Sequence, residues 1–355
     1  TYMVQDFVSL VDEFMGQLGI MQAPLVGHSM GGTVSLSVAL NFPERVEKVV
    51  IIGSGSVGTT LAFTLQITGV ATEIVLIDSN HELALGQVMD MNHGLPFVPP
   101  VHIYAGAYPD CKDADVIVIA AGARQKPGET RLDLVDRNAQ ICKSIVDSIM
   151  TYTREALLLV VTNPVDIMTY AVVKHSGLPP RQVIGSGTVL DSARFRYLLG
   201  KHCNIDTHNV HAYVIGEHGD SEVLLWSQVR MAGTSLELFC RHCACGCAPL
   251  DKTEITEAVK NSAYHIIEAK GSTNYGVALA VTNIIEAAIR DENSVLTVSM
   301  MLSGEYGINE CCLSVPCIVN KKGVSRIVEA ELAFTERNDL NRSAEVLRNI
   351  CRRVL

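Results

Sequence analysis

The sequence predicts an α/β protein with a doubly wound parallel sheet. Short apolar, β-branched runs alternate with segments of helical periodicity between residues 46 and 162, the pattern of parallel strands joined by helices. The first run, residues 46–52, leads directly into GSGSVG at residues 53–58, a G-x-G-x-x-G turn between a strand and a helix. Beyond Asn163 the alternation becomes irregular, which indicates a second domain of α+β type.

Composition and charge exclude several classes of protein. The chain has 355 residues, enough for about two domains, and 48% of them are hydrophobic, which argues against disorder. The formal net charge of −10 argues against nucleic-acid and anionic-membrane partners. We find neither a bilayer-length apolar run nor an opening signal segment. With 11 cysteines scattered through apolar segments, we expect a cytoplasmic protein with reduced thiols.

Three parts are expected along the chain: an appendage at residues 1–45, a cofactor-binding domain at 46–185 and a substrate domain at 186–355. The appendage is predicted to be helix, strand, helix, with Ser29 in a G-x-S-x-G turn (GHSMG) after the strand at 23–26. This turn resembles the nucleophile elbow of α/β-hydrolases. The resemblance extends to about residue 54, through the strand that also opens the cofactor-binding domain.

The cofactor-binding domain is predicted from alternating strands and helices. They fit a Rossmann-type sheet of strand order 3-2-1-4-5-6, in which the first strand has a neighbour on each side. We therefore expect residues 1–45 to lie outside the main sheet. The predicted strands are at 46–52, 74–78, 101–104, 116–121 and 157–162, and the helices at 57–68, 82–94 and 132–151.

The substrate domain is predicted to mix helices with antiparallel strands. Its last part reads as a β-hairpin followed by an amphipathic helix from about residue 337. The predicted helices are at 164–175, 191–199, 252–270 and 277–290, and the strands at 183–185, 210–215, 295–302 and 310–320.

The glycine turn predicts a dinucleotide site. Its glycines allow a tight turn, close approach of the backbone to a pyrophosphate and close packing of helix on strand. The N-terminus of the next helix offers N–H groups and partial positive charge to the same phosphates. Asp78 lies 20 residues after Gly58, where a carboxylate binds ribose hydroxyls and repels a 2′-phosphate. The expected cofactor is therefore NAD.

Polar residues at the ends of later strands predict acid–base chemistry on a carboxylate substrate. Asn163 follows one strand, and His218 lies in a glycine-flanked turn after another. A histidine with a carboxylate such as Asp191 suits proton transfer near neutral pH. Arg131 and Arg194 suit the bidentate binding of a planar carboxylate.

Residues 46–355 resemble the bacterial type of the L-lactate dehydrogenase family. The resemblance rests on GSGSVG, GARQKPGETR, TNPVD, GSGTVLDSARFR, NVHAYVIGEHGDS and KGSTNYG. It implies reversible hydride transfer between NADH and pyruvate, giving (S)-lactate. His218 is then the proton donor and acceptor, Asp191 orients its imidazole, and Arg194 binds the substrate carboxylate. Arg131, on a loop from about residue 124 to 136, polarises the carbonyl and excludes water when the loop closes.

Substrate choice rests, by the same resemblance, on Gln125 and Thr273. The related malate dehydrogenases carry Arg at the position of Gln125, and a neutral Gln leaves a second carboxylate without a partner. Asn163 is implied to bind substrate or nicotinamide, with a cis bond to Pro164. The implied cofactor contacts are Gly53, Gly55, Val57, Gly58, Asp78, Tyr108, Gly122, Ala123, Ser144, Val161, Asn163 and Ser186.

Arg196 and His211 match the positions at which bacterial members bind fructose 1,6-bisphosphate across a subunit interface. Both side chains suit a phosphate. The resemblance therefore implies an allosterically activated homotetramer.

Two alternative functions stay open. Ser29 is a serine-hydrolase nucleophile in the first, although the later strands that carry the Asp and His of such a triad are missing. In the second, the appended segment leaves an inactive fusion. A separate cluster, Cys240, Cys243, Cys245 and Cys247 with His242 inside it, offers thiolates to zinc. Its spacing is cramped and lacks a second C-x-x-C pair, so we expect no metal site.

Overall fold

The computed structural model describes residues 4–17, 47–123, 131–242 and 249–354, with the backbone alone at residues 4–6, 131, 242 and 354. The strands are β1 (Lys48–Ile52), β2 (Glu73–Ile77), β3 (His102–Ala105), β4 (Val116–Ile119), β5 (Leu157–Val160), β6 (Val183–Gly185), β7 (Val210–His211), β8 (Val214–Ile215), β9 (Val223–Leu224), β10 (Arg230–Met231), β11 (Thr234–Ser235), β12 (Ser294–Ser303), β13 (Asn309–Asn320) and β14 (Gly323–Ile327).

The helices of these described residues surround the strands. They are α1 (Val4–Gln17), α2 (Ser56–Thr68), α3 (His81–His93), α4 (Arg131–Ile149), α5 (Val165–Ser176), α6 (Val189–Cys203), α7 (Leu236–His242), α8 (Lys252–Lys270), α9 (Tyr275–Ile289) and α10 (Phe334–Val354). Helix α2 packs on α9, and α4 packs on α5.

The main sheet confirms the predicted doubly wound order. Its nine strands run β14-β13-β12-β6-β5-β4-β1-β2-β3, so β1 to β6 follow the order 3-2-1-4-5-6 and are parallel. Every residue of β4 and β5 is buried, as expected for parallel strands that helices cover on both faces. The carboxyl ends of these strands therefore meet at one edge, where an open α/β sheet binds its ligands.

The second half extends this sheet with antiparallel strands. The predicted hairpin is confirmed as β12 and β13, which pair in antiparallel register, and β12 joins the parallel part where Ser299 lies opposite Gly185. Strand β14 was not predicted; it pairs with β13 through a tight turn. The pairing gives the main sheet its outer antiparallel edge.

The prediction of one strand over residues 210–215 was wrong. The structure divides the segment into β7 and β8, which belong to different small sheets. Between them, the carbonyl of Ala212 accepts a hydrogen bond from Arg196 Nε (3.0 Å), and the carbonyl of Tyr213 accepts one from the Leu225 N–H (2.9 Å). These bonds take the middle of the segment out of a single ladder.

The start of the chain is described only for α1. Val8 and Met15 are buried there, whereas Leu10 and Phe14 are 61% and 60% exposed. The predicted strand at 23–26, the turn with Ser29 and the helix at 32–41 lie outside the described residues. Both edges of β1 are already hydrogen-bonded, to β2 and to β4. Among the described helices, none combines the length and apolar character that crossing a bilayer needs.

Candidate active site

The glycine turn after β1 can exist only with glycines at its first and last positions. Gly53 has φ +111°, and a Cβ on it would lie 2.6 Å from the Ala121 backbone nitrogen. A Cβ on Gly58 would lie 1.9 Å from the Gly53 carbonyl oxygen. A Cβ on Gly55 would instead meet nothing within 4 Å. The turn is therefore packed tightly against the sheet on one side and open on the other.

The open side of this turn fits the pyrophosphate of a dinucleotide. Helix α2 begins after Gly55, whose position provides no side-chain cap, and its first turn carries no acidic residue. The N–H groups and dipole of the helix N-terminus therefore remain available to an anion. At the end of β2, Asp78 accepts hydrogen bonds from the N–H of Ser54 (2.6 Å, Oδ2) and of Asn80 (2.9 Å, Oδ1). Its carboxylate is thus fixed beside the turn, where a ribose would lie.

One buried side chain holds the next two loops of this edge together. Asn138, from α4, is 2% exposed. Its Oδ1 accepts from the N–H of Ala123 (2.8 Å), and its Nδ2 donates to the carbonyl of Asn163 (2.9 Å). The bond between Asn163 and Pro164 is cis, as expected. Sequence reasoning missed Asn138, because its position inside a helix gives no motif signal.

The acid–base group is assembled around Asp191, at the start of α6. Its Oδ2 contacts His218 Nδ1 at 2.5 Å, and its Oδ1 accepts from Arg194 Nη1 at 2.7 Å. The Asp191 side chain is 2% exposed, whereas those of His218 and Arg194 are 25% and 14% exposed. The carboxylate is therefore buried more deeply than both cations, and its contact with His218 uses Nδ1 and leaves Nε2 out.

Electrostatics in this group favour a charged histidine. Burial alone lowers the pKa of His218, but the charge of Asp191 and its hydrogen bond raise the pKa to about 9. Burial raises the pKa of Asp191, yet the charges of His218 and Arg194 hold it below its usual range. The imidazole is therefore an imidazolium near neutral pH, ready to donate a proton.

Two further acids beside His218 were not recognised from the sequence. Asp166, in α5, accepts the backbone N–H of His218 at 2.8 Å. Glu222 is buried, and its Oε1 has no hydrogen-bond partner among the described residues. Burial, with the charge of Asp191 as a second cause, raises the pKa of Glu222 to about 8. Glu222 is thus a neutral acid at pH 7. Asp166 is the last residue of the TNPVD motif but was given no role from the sequence, and Glu222 lies in none of the motifs.

The remaining predicted site residues have varied positions. Gln125 lies outside the described residues, and Arg131 is described only by its backbone, at the first position of α4. Thr273 is half-buried in the link between α8 and α9. Ser144 is exposed on α4. The other predicted cofactor contacts differ in exposure. Val161 is buried, Gly122 is exposed, and three residues are half-buried: Val57, Tyr108 and Ser186.

The predicted phosphate-binding pair is brought to one region. Arg196 lies with its guanidinium 5.2 Å from the centre of the Tyr213 ring, and burial lowers its pKa. His211 is exposed on β7 and is the cross-strand partner of Arg230 on β10. Cross-strand partners share a face, so a third basic side chain lies beside His211.

The structure describes only part of the cysteine cluster that could offer thiolates to zinc. Among the residues described, no group of His, Cys, Asp and Glu side chains has the arrangement of a metal site. Cys243, Cys245 and Cys247 lie outside the described residues, and Cys240 is a free thiol in α7.

Comparison with known proteins decides the family. A family model described as lactate/malate dehydrogenase, NAD binding domain, matches residues 47–185, and the model of the alpha/beta C-terminal domain matches residues 188–355. The chain is 51% identical to the L-lactate dehydrogenase of Acetivibrio thermocellus, over 88% of this chain and 98% of that relative. The chain belongs to the lactate/malate dehydrogenase family. It is an NAD-dependent dehydrogenase, and NAD is its cofactor.

Other relatives and solved structures agree. The chain is 51% identical to the L-lactate dehydrogenase of Bacillus velezensis, over 86% of this chain and 97% of that protein. A lactate dehydrogenase from a Medee basin deep-sea metagenome superposes with a TM-score of 0.84 at 40% identity, covering 87% of this chain and 99% of that chain. The L-lactate dehydrogenase from Clostridium thermocellum superposes with a TM-score of 0.78 at 44% identity, with the same coverage of both chains.

The start of the chain matches a second family. A model of the alpha/beta hydrolase fold matches residues 1–70, which confirms the resemblance seen around Ser29. This match overlaps the dehydrogenase match from residue 47 onward. Strand β1 and helix α2 thus fit both family patterns.

Replacing Gly58 by alanine should damage the cofactor site. The added methyl must displace the Gly53 carbonyl, an overpacking that destabilises by roughly 1–3 kcal/mol, and we expect NADH affinity to fall by about tenfold or more. Gly86→Ala is the matched control, because a Cβ there meets nothing within 4 Å and alanine suits a helix interior. Fluorescence titration with NADH and thermal unfolding measure both effects. Unchanged NADH affinity in Gly58→Ala would contradict the tight turn.

Replacing Asp191 by asparagine should lower the basicity of His218. With the protonated imidazole as the expected proton donor, kcat/KM for a carbonyl substrate should fall as pH rises through the His218 pKa of about 9. Asp191→Asn removes the charge that raises this pKa, so the midpoint of the pH profile moves toward the ordinary histidine value, and kcat falls. Asp206→Asn is the control, because Asp206 contacts the exposed His208 in the same way, at 2.7 Å. A midpoint that stays near 9 in Asp191→Asn would refute the assignment.

Proposed function

We propose that this chain reduces pyruvate to (S)-lactate with NADH, and catalyses the reverse reaction. The observation that carries the proposal is the shared carboxylate of Asp191. It holds an imidazole for proton transfer and, on its other oxygen, a guanidinium suited to a carboxylate. A 2-oxo acid needs both groups side by side. L-Lactate dehydrogenase is also the activity named for the relatives at about half identity.

The roles of the residues follow from their chemistry. Arg194 binds the substrate carboxylate and orients the adjacent carbonyl toward His218. NADH, when bound, supplies the hydride to the carbonyl carbon. His218 Nε2 gives its proton to the carbonyl oxygen, and Asp191 stabilises the imidazolium before the transfer and sets the tautomer of the neutral imidazole after it. In the reverse direction His218 takes the proton from the lactate hydroxyl.

The loop before α4 would complete the site. We assign Arg131 to the polarisation of the carbonyl and Gln125, with Thr273, to the contact with the substrate methyl group. A neutral Gln125 disfavours a second carboxylate, since a buried charge without a partner is costly. Asn163 binds substrate or nicotinamide. We also divide the chain into the cofactor domain at 46–185, with the cofactor contacts given above, and the substrate domain at 186–355.

The direct test is NADH oxidation with pyruvate and with oxaloacetate. We expect pyruvate to be strongly preferred, and Gln125→Arg to shift preference toward oxaloacetate by about a hundredfold or more, as a paired charge does. His218→Ala should lose pyruvate reduction while it still binds NADH. A folded wild-type protein without pyruvate-dependent oxidation would refute the proposal.

We further propose that the enzyme is a cytoplasmic homotetramer that fructose 1,6-bisphosphate activates. Arg196, His211 and Arg230 supply positive charge in one region, which suits a phosphate group. The apparent KM for pyruvate should fall when the bisphosphate is added, and sedimentation should shift toward the tetramer. His211→Gln should abolish both responses, whereas His208→Gln, a change at a neighbouring exposed histidine, should not. If the bisphosphate alters neither KM nor assembly in wild type, the activator proposal fails.

A serine hydrolase acting through Ser29 is a second candidate, because residues 1–70 match the hydrolase fold. Both edges of β1 are already paired, so a hydrolase strand has no place beside it. Asp191 and His218 are committed to each other and to Arg194. We therefore expect no labelling of Ser29 by a fluorophosphonate. Labelling that Ser29→Ala removes would favour the hydrolase, and an inert protein that sizes as aggregate would favour an inactive fusion.

A further inference from the structure

The loop that carries His218 is attached to the cofactor-binding half through one buried carboxylate. Asp166 is 2% exposed. Its Oδ2 accepts the backbone N–H of His218 at 2.8 Å, and its Oδ1 accepts the hydroxyl of Ser299 at 2.6 Å. Asp166 lies on the first turn of α5, just after the cis bond between Asn163 and Pro164. It therefore connects the segment of Asn163, the strand β12 and the catalytic loop.

We propose that Asp166 is a positioning residue for proton transfer, which fixes the backbone of His218 so that Nε2 can reach the substrate carbonyl. This inference rests on the proposed role of His218 as the proton donor. Asp166 touches neither substrate nor cofactor in this scheme. It acts through the main chain of His218, whereas Asp191 acts on the imidazole ring.

The other contacts of the catalytic loop hold its neighbouring residues, and Asp166 holds the backbone N–H of His218. Gly216 exchanges backbone hydrogen bonds with Ser314 at 2.9 and 3.0 Å, and the Glu217 N–H donates to Ser343 Oγ at 2.8 Å. These contacts fix the two residues before His218. The N–H of His218 itself is fixed by Asp166. Loss of that acceptor frees the chain at the residue whose ring must be placed to within a fraction of an ångström.

Simple packing does not explain a carboxylate at this position. Burial raises the pKa of Asp166 to about 6, against the lowering effect of the bonds from Ser299 and His218. Asp166 is therefore an anion at pH 7.5, and a buried anion is costly. Burying an amide of the same shape would cost less free energy on folding. The anion accepts a strong, charge-assisted hydrogen bond from the N–H of His218. It also adds a second negative charge that favours the imidazolium.

The groups that face Asp166 do not compete for this role. His218 and Glu217 reach it from the catalytic loop. Cys311 and Cys312 reach it from β13, and Cys351 from α10. Burial raises the pKa values of all three thiols above the usual range, so they stay neutral where the enzyme works. Between pH 6 and 10 the charge of His218 changes, with a pKa of about 9, and so does that of Glu222 beside His218, with a pKa of about 8.

Two substitutions separate the hydrogen bond that Asp166 accepts from the His218 N–H from the negative charge of Asp166. Asp166→Ala removes both, and we expect kcat to fall about tenfold or more, as the loss of a buried charge-assisted hydrogen bond does, while the Kd for NADH stays within about twofold. Asp166→Asn keeps an acceptor for the His218 N–H and can donate to Ser299 Oγ. Most of kcat at low pH should therefore return, but the pH midpoint of kcat/KM should move down, and Tm should stay equal or rise because a buried charge is gone.

Ser343→Ala is the matched control. It removes the acceptor of the adjacent Glu217 N–H and the contact with Ser221 Oγ (3.0 Å) in the same loop, so it reports the cost of purely structural contacts: Tm falls and the pH midpoint stays in place. The readouts are steady-state kinetics with NADH and pyruvate, NADH titration and thermal unfolding. The kinetics span pH 5.5–10, roughly the range that includes an ordinary and a raised histidine pKa. Should Asp166→Ala fail to fold, the midpoint of Asp166→Asn decides.

The outcomes distinguish this inference from the proposed function. The positioning role alone is overturned in two cases, both with an active wild type. In the first, kcat of Asp166→Ala stays within about twofold of wild type (under 0.5 kcal/mol). In the second, the pH midpoint of Asp166→Asn does not shift. A wild type that does not oxidise NADH with pyruvate refutes the proposed function and this inference with it. The downward shift in Asp166→Asn together with its recovered kcat supports both.

Discussion

The site depends on the contact between Asp191 and His218. A carboxylate that is almost fully buried is strongly destabilised unless cations face it, and here His218 and Arg194 both do. The same field that keeps Asp191 ionised keeps His218 protonated. Burial, with the charge of Asp191 as a second cause, raises the pKa of Glu222 and favours its neutral form, so the cluster does not accumulate negative charge. The proton donation proposed for His218 and the substrate binding proposed for Arg194 therefore both depend on the same carboxylate, that of Asp191.

The sheet sets where this contact can act. Strand β1 lies between β2 and β4, and the glycine turn at its carboxyl end leaves the N-terminus of α2 open to a pyrophosphate. Asn138 joins the loops after β4 and β5. Asp166 then carries the connection on to the His218 backbone. The hydrogen bonds of Asn138 and Asp166, joined by the backbone from Asn163 to Asp166, thus connect the loops after β4 and β5 to His218.

Much of this could be predicted from the sequence, because the signals are local. Buried parallel strands are continuous apolar runs, and the glycine turn and Asp78 stand at a fixed spacing, so the order of β1 to β6 followed. His218, Asp191 and Arg194 lie in recognisable motifs, and the structure brings them together. Asn138, Asp166, Glu222 and Ser299 were missed because their importance arises from contacts between distant segments. Strand β14 and the division of residues 210–215 were missed for the same reason: pairing partners, rather than propensity, decide them.

Asp191 keeps His218 an imidazolium at pH values well above the ordinary pKa of histidine. NMR titration of the 15N-labelled imidazole measures this directly, with the signal assigned from its absence in His218→Gln. We expect a titration midpoint near 9 and a Nδ1 proton that stays hydrogen-bonded on both sides of it. A midpoint near the ordinary histidine value of about 6.5 would contradict the account.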